Sequence, residues 1–357
     1  MNRLTALGGF DAKGPACFLV EIGGRRLLLD LGRGPDHDAR PDLRGLGAVD
    51  AVLISHGHAD HVGSLDLLSE IGAPPVYATA PVRALARDPV LAAARDLGAL
   101  QQIAGLRVET GAAGHAPGAV WIRVGGAAGL FYSGDLCAEG GLFATAPLPR
   151  AAVAVLDCSY GAEPATLAQQ RAALLAQIGA GPVLLPVPPA GRALEIARAC
   201  LEAGRPVAIC DAVRAVAETL ARFPDWLAPG GAAALAEICV RAGRLGETSP
   251  LEGVMIAGGP NCGSGLSALL GPRALAQGVP VLPSGHLALG SPAARWVAEG
   301  RAARARWNVH PDRATLARAI AETGAAQLFP AFAPAPLRAA LAAALPGPWA
   351  QSRSLSW

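Results

Sequence analysis

The stretch SHGHADHVG at residues 55–63 decides how this chain folds and what it binds. It places three imidazoles and a carboxylate within six residues, at His56, His58, Asp60 and His61. A packed core does not need such a cluster, whereas imidazole nitrogens and carboxylate oxygens are common ligands of zinc. His56 and His58 alternate along the chain, so both rings can point to one side of an extended loop. The stretch therefore predicts a metal site.

The segments around this stretch predict a β-rich first part of the chain. The apolar run at 50–55 fits a short buried strand, and 64–71 fits a helix. Upstream, two apolar runs flank Gly23-Gly24, which is typical of a β-hairpin. Further strands are expected at 75–77, 106–109, 120–124, 130–133 and 152–156.

From residue 162 the pattern alternates between helix and strand, which predicts βαβ units and a parallel sheet. The Gly/Ala-rich segment 228–236 is interpreted as a loop, and a strand is expected to end near residue 308. The remaining elements are helices at 167–178, 192–203, 312–323 and 336–345, and strands at 182–187, 206–210, 254–257, 279–282 and 327–332.

Composition excludes several classes of protein. Of the 357 residues, 52% are hydrophobic and only 16% are charged, so a disordered chain is excluded. The net charge of +2 implies no general attraction to nucleic acid or anionic lipid. No signal peptide or membrane span is visible, and seven scattered cysteines without a CxxC predict reduced thiols in the cytoplasm. Lys13 is the only lysine, which we ascribe to coding bias.

Two residues further along the chain add to the candidate metal site. His115 lies at the start of an expected strand, and Asp135 directly follows another. A carboxylate at the end of a strand can bridge two cations, although it is also a common turn residue. Together with the stretch 55–63, these residues indicate a centre for more than one metal.

The order of these residues resembles the metallo-β-lactamase superfamily, in which an Asp after an early strand precedes HxHxDH, a distant His and a strand-end Asp. Here Asp30 supplies the first of these. The resemblance implies an α/β fold, the αββα sandwich, with two metals at one edge of the sheets. It also implies the role of each residue. His56, His58 and His115 would bind one metal, Asp60 and His61 would bind the other, and Asp135 would bridge the two. Asp30 would not bind a metal but would orient the ligands.

Four later segments resemble the β-CASP nucleases of that superfamily: LDCSYG at 156–161, PVLLPVPPAGRALE at 182–195, the region 279–300, and NVHPD at 308–312. The resemblance implies a β-CASP-like domain at 161–300, inserted into a metallo-β-lactamase domain formed by 1–160 and 301–357.

The chemistry that this resemblance implies is phosphodiester hydrolysis by a zinc-bound hydroxide. Asp60 would take part through the metal. His310, held by Asp157, would protonate the leaving oxygen.

One position departs from the family pattern. The family has a histidine ligand after its last strand, where the segment LFPAFA at 328–333 places Phe332. Because phenylalanine cannot bind a metal, we expect two zinc ions of which the second is weakly bound. The DNA-acting branch of the family also has an apolar residue there, which favours DNA over RNA as the substrate.

The expected partner is single-stranded or structured nucleic acid, with no membrane partner, and the sequence leaves a homodimer open. Guanidinium groups suit phosphate oxygens, and the candidate contacts are Arg192, Arg301, Arg304 and Arg306. Two alternatives stay open: a small-molecule hydrolase of thioesterase or lactonase type, and a weakly active nucleic-acid-binding subunit. The inserted segments argue against the first alternative, and the full ligand set argues against the second.

Overall fold

The computed structural model describes all 357 residues, and they form two compact units. The first unit contains Met1–Ala138, Thr145–Pro164 and His310–Trp357. The second contains Glu139–Ala144 and Ala165–Val309. None of the helices has the length and apolar character that crossing a bilayer requires.

The first unit contains a seven-stranded sheet in the order β17-β1-β2-β3-β4-β5-β6. Its strands are β1 Arg3–Gly8, β2 Cys17–Ile22, β3 Arg25–Leu29, β4 Ala51–Leu53, β5 Val76–Ala78, β6 Arg95–Asp96 and β17 Ser354–Ser356. Strands β2 and β3 form the predicted antiparallel hairpin, in which Phe18 pairs with Leu29. Its turn is Gly23-Gly24, and both glycines have the positive φ that a two-residue hairpin turn requires.

The second sheet of this unit has six strands in the order β16-β11-β10-β9-β8-β7. They are β7 Leu100–Ile103, β8 Leu106–Ala112, β9 Val120–Val124, β10 Leu130–Tyr132, β11 Val153–Asp157 and β16 Gln327–Ala331. Strands β10, β11 and β16 run parallel, so their carboxyl ends meet at one edge of the sheet. Tyr132 and Asp157, the last residues of β10 and β11, therefore lie at this edge.

The two sheets face each other, and helices cover their outer faces. Phe18 of the first sheet lies 5.3 Å from Tyr132 and 6.1 Å from Phe329 of the second, between ring centres. Its neighbours Cys17 and Leu19 point the other way, into the apolar cluster that contains Val82 and Leu91. The helices of this unit are α1 Ala59–Val62, α2 Ala80–Leu85, α3 Pro89–Ala92, α10 Arg313–Thr323 and α11 Ala335–Ala344, with 3-10 helices Leu65–Ile71 and Gly126–Ala128.

The outer face of the second sheet packs against α10 and α11 through Leu316 and Leu341. The layers of the first unit are thus helix, sheet, sheet and helix. The predicted α/β class with an αββα sandwich is confirmed.

The second unit contains a four-stranded parallel sheet in the order β12-β15-β13-β14. Its strands are β12 Val183–Val187, β13 Val207–Cys210, β14 Gly243–Leu245 and β15 Val254–Gly258. Its helices are α4 Leu167–Ile178, α5 Arg192–Glu202, α6 Asp211–Leu220, α7 Gly231–Arg241, α8 Gly265–Ala276 and α9 Pro292–Ala298, with the 3-10 helix Pro224–Trp226.

Three local expectations were wrong. The segment 228–236 is not a loop, because α7 begins at Gly231 and its alanines favour helix over coil. The strand expected at 279–282 is reduced to one bridge, between Leu184 and Val281. No strand ends near residue 308. At that position the backbone N–H of Asn308 does not pair with a neighbouring strand. It donates to the side-chain oxygen of Gln170 instead.

Candidate metal centre

The predicted metal-binding stretch is a loop between the buried strand β4 and the short helix α1. His56 and His61 are fully buried, whereas His58 and Asp60 are half-buried. The backbone of this loop is fixed by its neighbours: the Ala16 amide donates to the Asp60 carbonyl, 2.8 Å away. The loop therefore presents four candidate ligands from one rigid turn.

Three imidazoles and one carboxylate form the first cluster. His56 Nε2 lies 3.0 Å from His58 Nδ1, and His115 Nε2 lies 3.1 Å from the same atom. The carboxylate is that of Asp135, whose Oδ2 is 3.4 Å from His115 Nε2. Tetrahedral zinc at ordinary bond lengths separates its ligand atoms by about 3.3 Å. Both the donor types and their spacing fit a metal of this kind.

A second cluster contains Asp60, His61 and again Asp135, with donor atoms within 4.8 Å of one another. Asp135 Oδ1 is 3.2 Å from His61 Nε2, while Oδ2 faces His115 and the first cluster. One carboxylate thus turns one oxygen towards each cluster, which is the arrangement that a bridging ligand needs.

Asp30 lies behind the centre and fixes the orientation of His61. Its Oδ2 is 2.7 Å from His61 Nδ1 and accepts hydrogen bonds from the Ser55 and Tyr132 hydroxyls. The Ser55 amide donates to Oδ1. A carboxylate bonded to the far nitrogen of a histidine sets the tautomer that leaves Nε2 free for a metal. Asp30 occupies the supporting position that the resemblance implied for it, and Tyr132 is a partner that sequence reasoning missed.

The pair His310 and Asp157 lies beside these clusters. His310 Nδ1 is 2.8 Å from Asp157 Oδ2 and 3.7 Å from Asp135 Oδ2. Asp157 is itself held, because the Ser159 hydroxyl and the Leu136 amide donate to its oxygens. Asp135, Asp157 and His310 also form a third group with metal-ligand spacing. The geometry therefore permits His310 to act either as an acid or as a ligand.

The side chain of Phe332 faces the second cluster. Its buried ring lies 5.4 Å from the ring of His61 and 5.9 Å from that of Phe18. It supplies carbon where a ligand would supply a nitrogen.

The electrostatics of the metal-free centre follow from burial and from this crowding. Burial alone would lower the pKa of His61, but the carboxylates of Asp135 and Asp30 raise it well above its ordinary value. Burial alone would raise the pKa of Asp135, but His61 and His310 hold it well below the usual range. Burial and the neighbouring imidazoles lower the pKa of His56. A metal binds neutral imidazole, so loading at His61 must release a proton.

Sequence reasoning also missed the contact of Lys13 with this centre. Its Nζ lies 3.3 Å from His310 Nε2 and 5.7 Å from the centre of the Tyr160 ring. Burial lowers the pKa of Lys13, but the acidic groups of Asp135, Tyr160 and Asp60 outweigh it and raise the pKa overall. The only signal in the sequence was that one of 30 basic residues is a lysine.

The predicted nucleic-acid contacts lie in the second unit. Arg192 donates to the carbonyls of Ser284 and Trp307, so its guanidinium ties two segments of that unit together. Arg301 is exposed and pairs with Glu299. Arg304 and Arg306 are exposed as well. The structure thus gives one of the four a packing role and leaves three at the surface.

A two-sheet sandwich with histidine and aspartate clusters at one sheet edge defines a metal-binding protein of metallo-β-lactamase fold. The family model described as metallo-beta-lactamase superfamily matches residues 11–159, which hold the stretch 55–63, His115, Asp135 and Asp157. Together with the relatives described next, this match confirms the predicted resemblance to the metallo-β-lactamase superfamily and its β-CASP branch.

Similar curated proteins include transcription termination factor FttA of Methanothermobacter thermautotrophicus, 42% identical over 92 residues, which are 23% of this chain and 14% of that protein. FttA of Cenarchaeum symbiosum is 31% identical over 244 residues, 54% of this chain and 38% of that protein. Integrator complex subunit 11 of Danio rerio is 38% identical over 95 residues, 23% and 16% of the two chains. The chain therefore spans well under half the length of these relatives.

One solved structure, a protein of unknown function from Enterococcus faecalis, shares the fold over almost the whole length. It has a TM-score of 0.60 at 15% identity and covers 99% of both chains. At this identity the likeness concerns the fold alone.

Proposed function

We propose that this protein is a metal-dependent phosphodiesterase that cleaves nucleic acid with zinc as its metal. The observation that carries the proposal is the position of Asp135. Its carboxylate faces both ligand clusters, and the His310–Asp157 pair lies within 4 Å of it. A hydrolase of phosphodiesters needs cations for the phosphate charge and an acid for the leaving oxygen, and both are provided here at one place.

The residues divide into holding and proton-moving groups. His56, His58, His115 and Asp135 would hold the first zinc ion, and Asp60, His61 and Asp135 the second. When bound, zinc supplies the Lewis acid that activates water and offsets the phosphate charge. Imidazole and carboxylate donors fit zinc, and Asp30 keeps His61 in the tautomer required.

His310 is the group that we assign to the leaving oxygen. Its Nδ1 faces Asp157, so a proton on Nδ1 is held in the hydrogen bond to that carboxylate and is not available to the substrate. Nε2, on the opposite edge of the ring, accepts from the Lys13 ammonium, 3.3 Å away, in the resting state and is the nitrogen that passes a proton to the leaving oxygen. Asp157 stabilises the imidazolium from which this proton leaves and keeps the ring in place. Ser159 and Leu136 keep Asp157 oriented in turn.

The other sequence-based assignments stay part of the proposal. Residues 161–300 would form the β-CASP-like domain, and Arg301, Arg304 and Arg306 would contact phosphates. The presence of a four-stranded parallel sheet within the second unit supports the first of these. A homodimer and a cytoplasmic location stay predictions.

We propose RNA as the substrate class. The relatives include a transcription termination factor and, in Oryza sativa, a cleavage and polyadenylation specificity factor subunit, and both names refer to RNA synthesis or processing. The apolar Phe332 favoured DNA, which is the alternative. Two further alternatives concern the function itself. One is a thioesterase or lactonase, and the other is a nucleic-acid-binding subunit with weak activity.

One assay separates these functions. Zinc-loaded protein is incubated with end-labelled single-stranded RNA, single-stranded DNA, a lactone and a thioester. The proposal predicts cleavage of RNA, faster than that of DNA, and no turnover of the small esters. Faster cleavage of DNA would reverse the substrate assignment. Turnover of the esters alone would overturn the nuclease, and tight RNA binding without cleavage would indicate the binding subunit.

The control for this assay is His37→Ala set beside His310→Ala. His37 is exposed in a loop, so its loss should leave cleavage unchanged. Undiminished activity in both variants would show that the measured cleavage does not arise at this centre.

A further inference from the structure

Lys13 occupies an unusual place for a lysine. It follows β1 in a loop and is only half-buried, yet its ammonium reaches the catalytic pair, 3.3 Å from His310 Nε2. It also lies 5.7 Å from the centre of the Tyr160 ring, a distance at which the ring face attracts a cation. Two separate contacts thus direct the ammonium towards the metal centre and away from solvent.

The backbone next to Lys13 is fastened to the second ligand cluster. The Ala16 amide donates to the Asp60 carbonyl at 2.8 Å, and the Gly32 amide donates to the Ala16 carbonyl at 2.9 Å. The segment that contains Lys13 and the metal-binding loop are so close that a Cβ on Gly14 would lie 3.2 Å from the Cβ of Asp60. The position of Lys13 is therefore set by the same residue that would bind the second metal.

The carboxylates around the second cluster favour a cation. Asp60 and Asp135 belong to it, Asp157 lies beside it, and all three attract the Lys13 ammonium. Buried carboxylates are costly unless a positive charge accompanies them. In a two-metal hydrolase a second divalent ion supplies this charge. A lysine ammonium is a compact point charge that can do the same.

The donor set of this cluster is also short by one. Phe332 offers its ring, 5.4 Å from that of His61, where a further donor would be needed. The second cluster thus has too few donor atoms for a tightly bound metal, and it has the Lys13 ammonium as a nearby positive charge.

We propose that the Lys13 ammonium takes the place of a tightly bound second metal, so that the working centre holds one metal and one lysine. Lys13 repels a second divalent ion from Asp60 and Asp135. It also contributes the positive charge that faces the phosphate, and this second part rests on the proposed function. The metal part does not, since it concerns only the occupancy of the ligand clusters.

The test is a zinc titration of the full chain by calorimetry, with bound metal counted by mass spectrometry after removal of free zinc. Variants are Lys13→Met, which keeps the length of the side chain and removes its charge, and Lys13→Arg, which keeps the charge. The matched control is Arg33→Met, which removes a half-exposed cation paired with Asp38 at the surface. Circular dichroism confirms that each variant is folded.

The parent, Lys13→Arg and Arg33→Met should retain one zinc ion, whereas Lys13→Met should retain two. The second dissociation constant of Lys13→Met should fall by about tenfold or more, because a like charge has left the site. Equal zinc content in the parent and Lys13→Met would overturn the proposal, as would two equally tight sites in the parent.

Cleavage assays on the same samples separate the two proposals. A gain of zinc in Lys13→Met without cleavage of RNA or DNA by any sample would keep the role of Lys13 and reject the nuclease. Cleavage by the parent with no change in zinc content would keep the nuclease and reject the role of Lys13.

Discussion

The phenyl ring of Phe332 lies nearly edge-on to the imidazole of His61, at an interplanar angle of 64°. The side chain at position 332 therefore already points at the second ligand cluster. Its backbone has a φ of 63°, in the left-handed region, where histidine occurs more readily than most residues. A donor introduced at this position would consequently start from a suitable direction.

We expect Phe332→His to tighten the weaker zinc site, because it adds a fourth protein ligand to Asp60, His61 and Asp135. The second dissociation constant should fall by about tenfold or more in a calorimetric titration. Phe332→Leu is the control, since it removes the ring without adding a nitrogen. If both variants tighten the site equally, relief of crowding is responsible and ligation is not.

Asp60→Asn should abolish hydrolysis while leaving the fold and the zinc ion of the first cluster in place. The backbone carbonyl that receives the Ala16 amide is unchanged, and only one carboxylate oxygen is replaced by an amide. The measurement is metal content together with thermal unfolding. Asp66→Asn, which breaks only an exposed pair with Arg40, should change neither metal nor activity. Full activity of Asp60→Asn would remove this residue from the centre.

His310→Ala should slow cleavage by about 10²–10⁴-fold, the usual contribution of general acid catalysis. Zinc content should stay nearly the same, because His56, His58 and His115 are unaffected. Since His310 also belongs to a group with metal-ligand spacing, the count of bound zinc decides between its two roles. Loss of zinc would make it a ligand.

Gly32→Ala should destabilise the protein and weaken metal binding together. A Cβ on Gly32 would lie 1.7 Å from the carbonyl oxygen of Asp60, so the metal-binding loop must move. We expect a loss of about 3 kcal/mol in the free energy of unfolding by urea. In Gly181→Ala the new methyl group enters open space, and stability should be unchanged or raised by less than about 1 kcal/mol. Unchanged zinc affinity in Gly32→Ala would contradict the rigid-loop account.

Glu195 makes the stability of the second unit depend on pH. Burial raises its pKa to about 7, even though the Trp307 indole donates to it. The folded state therefore binds this proton more tightly than the unfolded state does. The stabilisation is full below about pH 4.5 and is lost as pH rises through about 7.

Glu195→Gln should remove this loss, because glutamine keeps the shape and does not ionise. Relative to the parent, its free energy of unfolding should rise by about 2–3 kcal/mol between pH 5 and pH 8. The measurement is urea unfolding at both pH values. Glu237→Gln, on the surface and paired with Arg241, should show no such change. A parallel pH dependence in parent and Glu195→Gln would mean that Glu195 ionises normally.

The parts of this molecule that the sequence predicts are those fixed locally. The hairpin of β2 and β3 depends on two glycines and two apolar runs, and the ligand loop lies within nine residues. Lys13 is 297 residues from His310 in sequence, and no local pattern indicates that they meet. The segment 228–236 misled for the opposite reason. Its glycines suggested a loop. The segment forms part of helix α7 instead, because the buried side chains of Leu235 and Ile238 pack one face of that helix against the core.

The singular lysine also gives this protein one side-chain amine. The neutral amine of a lysine attacks an acylating reagent and forms a stable amide, and Lys13 is the only side chain here that can form one. Because that amine lies against His310, its rate of acylation depends on whatever fills the adjoining space. Footprinting with such a reagent, followed by peptide mass analysis, would thus report occupancy of the centre from a single modified position.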